Sequence, residues 1–73
     1  MKALTVLLLT AKAGFVEVPT QMVPEKARAE FARSIRRDQA VSFWMNPNTG
    51  EVRAVVQDEN DRENVRVLSW KGS

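Results

Sequence analysis

Apolar and polar positions alternate most regularly between Val41 and Val56, and this alternation predicts a β-hairpin. Two runs flank Asn46-Pro47-Asn48-Thr49-Gly50, where Pro47 suits the first central position of a type I turn and Gly50 the left-handed residue that closes it. Setting Asn46 opposite Glu51 pairs Met45 with Val52, Phe43 with Ala54 and Val41 with Val56, all on one face. The other face then carries Ser42, Trp44, Arg53 and Val55, with Trp44 opposite Arg53. A slip of one residue would turn both apolar sets to the wrong side, so the pattern itself sets the register.

Residues 3 to 10 are apolar at nearly every position, which reads as a central strand covered on both sides. Ala11-Lys12-Ala13-Gly14 reads as a turn with glycine where φ can be positive, and Phe15-Val16-Glu17-Val18 as a short strand stopped by Pro19. These two strands are expected to form an antiparallel hairpin. A helix is expected from Pro24 to about Arg37, with Pro24 in its first turn, Glu25 near its positive end and Arg36 and Arg37 in its last turn. Ala27, Phe31 and Ile35 recur at i, i+4 and i+8 as a narrow buried stripe. After the hairpin, Asp58 to Asn64 is a solvated loop, and Val65 to Trp70 is a last strand whose inward side is either Val65 and Val67 or Leu68 and Trp70. The end of the chain, residues 70 to 73, is expected to fray.

The predicted order is β-β-α-β-β-β, a single α+β domain over residues 1 to 73, with one helix on one face of a small antiparallel sheet. The expected core is Leu4, Val6, Leu8, Phe15, Phe31, Ile35, Val41, Phe43, Val52, Ala54, Val56 and Val67. At 73 residues that core is thin, because chains of this size bury only about 60% of the surface their unfolded form exposes. A composition that is 44% hydrophobic is ordinary for a globular domain. The start of the chain also imitates a signal peptide, with Met1-Lys2, an apolar run and an Ala11-Lys12-Ala13 site. A cleaved segment of that length would fall below the usual range of about 15 to 30 residues, and Thr5 and Thr10 dilute the run, so a strand is the expected reading.

Charge adds a bipolar pattern to this picture. Net charge is +2, but Lys26, Arg28, Arg33, Arg36 and Arg37 gather on the expected helix, while Asp58, Glu59, Asp61 and Glu63 gather in the loop. The chain has no histidine, cysteine or tyrosine, which removes the commonest general base, the thiol nucleophile and the phenol. The loop acids lack the spacing of a calcium site, and the three glycines are too scattered for a phosphate loop. No catalytic residue, metal or cofactor is expected, nor a small-molecule substrate or a membrane.

Two kinds of partner remain. A sheet with one helix leaves its other face open, and tryptophan and arginine dominate interface energetics. Trp44, Arg53, Val55, Arg66 and Trp70 are therefore the candidate partner-binding residues of a small cytoplasmic accessory or inhibitor-type protein that binds another protein or pairs as a homodimer. The alternative is nucleic-acid binding, with Lys26, Arg28, Arg33, Arg36 and Arg37 on phosphates and the tryptophans stacking on bases.

Overall fold

The computed structural model describes residues 3–72, so Met1 and Lys2 of the positive start and Ser73 of the expected fray lie outside the described residues. Its centre is the expected hairpin, formed by β2 (Gln39–Met45) and β3 (Glu51–Asp58). The observed pairs include Val41 with Val56, Phe43 with Ala54, Trp44 with Arg53 and Met45 with Val52, as the alternation required. Gly50 closes the turn at φ 76°. The Asn46 carboxamide oxygen accepts the Asn48 N–H at 2.9 Å, and its main-chain carbonyl accepts the Gly50 N–H at 2.8 Å. Asparagine therefore shapes this turn as much as proline does, by mimicking main-chain hydrogen bonding.

The sheet has four antiparallel strands in the order β1-β2-β3-β4, where β1 is Val16–Val18 and β4 is Val65–Lys71. The class is α+β, as expected, but residues 3 to 10 are not a strand. They belong to a helix, α1 (Ala3–Lys12). A run apolar at nearly every position fits a buried strand and a buried helix equally well, and the composition here is compatible with the helix. Ala3, Leu4, Leu7, Leu8, Leu9 and Ala11 are strong helix formers, against only Thr5, Val6 and Thr10 among β-branched residues. The Thr10 hydroxyl donates to the Val6 carbonyl at 2.8 Å, which satisfies it inside the helix.

Gly14 is left-handed at φ 94°, as expected, but it ends a helix instead of turning a hairpin. Its N–H bonds the Ala11 carbonyl at 3.1 Å, and the Phe15 N–H bonds the Thr10 carbonyl at 3.3 Å. This pair of bonds is the Schellman cap, and glycine fits its left-handed position because a Cβ would be strained there. β1 consequently pairs with β2, not with residues 3 to 10, placing Val16 opposite Met45 and Val18 opposite Phe43.

Past a 3₁₀ turn at Thr20–Met22, α2 spans Glu25–Ala32, with Pro24 as its N-cap residue (ψ 140°). The expected helix runs five residues too far, to Arg37. The Arg33 and Ser34 N–H groups tighten onto the Glu30 and Phe31 carbonyls, and the Gln39 side chain captures the Arg36 N–H at 2.8 Å. Arg36 and Arg37 therefore lie beyond the helix and do not complement its carbonyl end.

Two layers cover the sheet. Against one face, Ala27 and Phe31 of α2 and the preceding Val23 pack onto Val52, Ala54 and Val56, with Phe31 stacked on Phe43 at 6.1 Å. Against the other face lie Val6 and Thr10 of α1, with buried Phe15 and Val55. Leu4, Leu8 and Val67, expected in the core, are exposed, while Val23 and Val55 take core positions not foreseen. The strand β4 continues through Lys71, so the fray expected from residue 70 does not begin there.

Phe31 stacks on Phe43 and belongs to the buried cluster with Val52, Ala54 and Val56, and its loss should leave a cavity that this thin core cannot refill. Phe31→Ala is expected to cost about 3 to 4 kcal/mol, read as a lower urea midpoint by circular dichroism. A change below about 1 kcal/mol would mean that Phe31 does not tie the layers together.

Candidate partner surface

The sheet register divides the five expected partner-binding residues between two faces. Trp44, Arg53 and Val55 lie on the α1 side. Trp70 pairs with Val52 and Arg66 with Val56, so both lie on the α2 side together with Leu68. The expectation of one face that holds all five is corrected on this point. Loop 59–64 sets the registration of β4 against β3, and neither side of the Val65-to-Trp70 alternation is polar enough to reveal it.

On the α1 side the expected residues are largely engaged within the fold. Val55 is 4% exposed beneath α1. The Arg53 guanidinium sits 4.2 Å above the Phe15 ring, and its Nε donates to Glu51 Oε2 at 3.1 Å. Its cation–π partner is therefore Phe15 and not the cross-strand Trp44. Trp44 is half-buried, and its indole N–H donates to the Ser42 hydroxyl at 3.0 Å. On the α2 side, Arg66 donates to the Ser34 carbonyl at 2.6 Å, and Trp70 is half-buried against the core.

The outer side of α1 is the surface that sequence reasoning missed. Leu4 is 69% exposed, Leu8 60% and Leu9 54%; Leu8 and Leu9 line a shallow depression with Thr5 and Lys12, and Leu4 lies one turn before Leu8. The i, i+4 spacing of Leu4 and Leu8 was present in the sequence, but read as a strand it placed both leucines in the core. Residues 3 to 16 contain no acid, and Lys12 ends the helix.

The basic residues are only partly gathered. Arg28, Arg36 and Arg37 border a shallow groove with Phe31, Ile35, Val41 and Phe43 along its floor, whereas Lys26 and Arg33 lie outside it. Arg36 is also committed to Asp38 at 3.7 Å and to Asp58 at 3.4 Å. Asp58 further accepts from Gln39 at 3.1 Å and Asn64 at 3.0 Å, so this cluster ties the loop to the sheet. Among the described residues no helix is long and apolar enough to cross a membrane. No family model, curated protein or solved structure matches the chain, so its surfaces are read from their own chemistry.

Glu51 sits at the edge of the Trp44 side, with its side chain 16% exposed. The Ser69 hydroxyl, donating at 2.7 Å, is the main cause holding its carboxyl below the usual range; burial opposes this, and Arg53 and Lys71 reinforce it. A carboxyl lowered by folding adds stability that is present above its unfolded value of 4.5 and is lost as pH falls through its folded value. Ser69→Ala should therefore lower the melting temperature at neutral pH, and the gap from wild type should close on acidification. A gap constant from neutral to acid pH would show that the carboxylate is not what the hydroxyl stabilises.

Proposed function

We propose that the protein is a non-enzymatic interaction module, a small cytoplasmic accessory or inhibitor-type protein, that binds a partner protein through the outer side of α1. One observation carries this reading: α1 is predominantly apolar, yet it buries only Val6 and Thr10 and leaves Leu4, Leu8 and Leu9 exposed. A helix of that composition belongs inside a larger core, and contiguous exposed leucines are uncommon on small monomers. Leucines one turn apart are the usual anchors of a helix laid into an apolar groove. The absence of acids in residues 3 to 16, together with Lys12, suits a groove with an acidic rim. This surface replaces the open sheet face around Trp44 expected from sequence.

Leu4→Glu combined with Leu8→Glu tests the reading, since both positions are exposed and the fold should tolerate the change. The wild type immobilised on resin should retain a specific partner from host lysate, and the folded double variant should lose it. Equal retention by both would overturn the assignment.

A second reading, nucleic-acid binding, is favoured by the groove that Arg28, Arg36 and Arg37 border. It requires tryptophan fluorescence to be quenched by oligonucleotides at about 50 mM salt and much less at about 200 mM, as phosphate contacts release counterions. No quenching at the lower salt removes it.

A further inference from the structure

The free edge of β4 has a property that the α1 surface does not explain. Two bonds set which way its main chain points. The Asn46 N–H bonds the Glu51 carbonyl at 2.9 Å, and the Asp58 N–H bonds the Asn64 carbonyl at 3.4 Å. In an antiparallel ladder both main-chain groups of a residue point to the same side, and the side alternates along the strand. Glu51, Arg53 and Val55 therefore bond β2, while Val52, Ala54 and Val56 bond Trp70, Leu68 and Arg66 of β4. Val65, Val67, Ser69 and Lys71 are left with both N–H and C=O directed away from the sheet.

The opposite edge is guarded. β1 is three residues long, only Glu17 points outward, and Pro19 stops the strand. Short strands, charge and proline are the usual protection of an edge. β4 offers seven residues, and Val67, next to its central Leu68, is 44% exposed.

We propose that two copies of this chain join antiparallel along β4, with the two-fold axis at Leu68, to form one continuous sheet across the dimer. This register is self-complementary in three respects. It places Val65 opposite the partner's Lys71 and Val67 opposite the partner's Ser69, so every outward residue meets another outward residue in a hydrogen-bonded pair. It uses all seven residues of each strand; an axis at Val67 or Ser69 leaves an end unpaired. It also sets Arg66 opposite the partner's Trp70 and Leu68 opposite the partner's Leu68, so no charge faces its like. A two-fold interface requires such self-complementarity. The proposal uses a different surface from the α1 reading, and either can fail without the other.

Light scattering coupled to size exclusion should show a concentration-dependent species of twice the 8.2 kDa chain. Val67→Pro removes an outward N–H at an edge position, where strands tolerate proline, so it should give a folded monomer by circular dichroism. Leu68→Cys supplies a second arm that does not depend on that variant folding. The chain has no cysteine of its own, and Cα atoms of a non-hydrogen-bonded pair lie within disulfide range. Mild oxidation should link Leu68→Cys into dimers and leave Thr49→Cys, in the hairpin turn, unlinked. A chain monomeric at every concentration would overturn the proposal. So would a dimer that survives Val67→Pro and leaves Leu68→Cys unlinked; that result would place self-association elsewhere, with α1 as the next candidate.

Discussion

The structure depends on β3 being buried on both faces. Val52, Ala54 and Val56 close one side under α2, and Val55 closes the other under α1. A domain this small rarely supports two layers of helix, because its core area is limited. It does so here by sharing one strand between two thin cores. Each core is incomplete alone: α2 contributes eight residues, and α1 turns only Val6 and Thr10 fully inward. The hairpin register couples them, since a shift of one residue in β3 would exchange the two apolar sets.

Polar contacts hold what the thin cores leave loose. Asp58, at the end of β3, gathers Arg36, Gln39 and Asn64, and Arg66 reaches back to the Ser34 carbonyl. These bonds link the end of α2, the start of β2 and the acidic loop. Most of them are exposed, and each of those contributes little. Their value is geometric: they fix loop 59–64, and that loop sets which side of β4 faces α2. At the other end, Gly14 packs beside Asn46, where a Cβ would stand 3.6 Å from the carboxamide nitrogen. The cap of α1 and the hairpin turn thus meet at one point.

The same economy accounts for the surfaces left over. A predominantly apolar helix, laid on a sheet only four strands wide, cannot bury its outer leucines within 73 residues. Tryptophan and arginine, the residue types that drew attention in the sequence, are instead spent on internal contacts. Arg53 covers Phe15 and anchors Glu51, Arg66 ties down the end of α2, and Trp70 closes the α2-side core. Composition alone could not separate an arginine that binds a partner from one that braces a sheet.

The sequence by itself determined the hairpin, its register and turn, the breaks at Pro19 and Gly14, the Ala27-Phe31 face of α2 and the α+β class. In each case the signal is local: a period of two, a glycine at positive φ, a proline without an N–H. Only the tertiary structure decided that residues 3 to 12 are a helix, since an all-apolar run has no period to read and the layer it joins is assembled from distant strands. It also ended α2 early through Gln39, turned Leu68 and Trp70 inward through the length of the acidic loop, and left Leu4 and Leu8 outside. The placement of α1 and of its leucines follows from contacts between segments far apart in the chain, which no local pattern encodes.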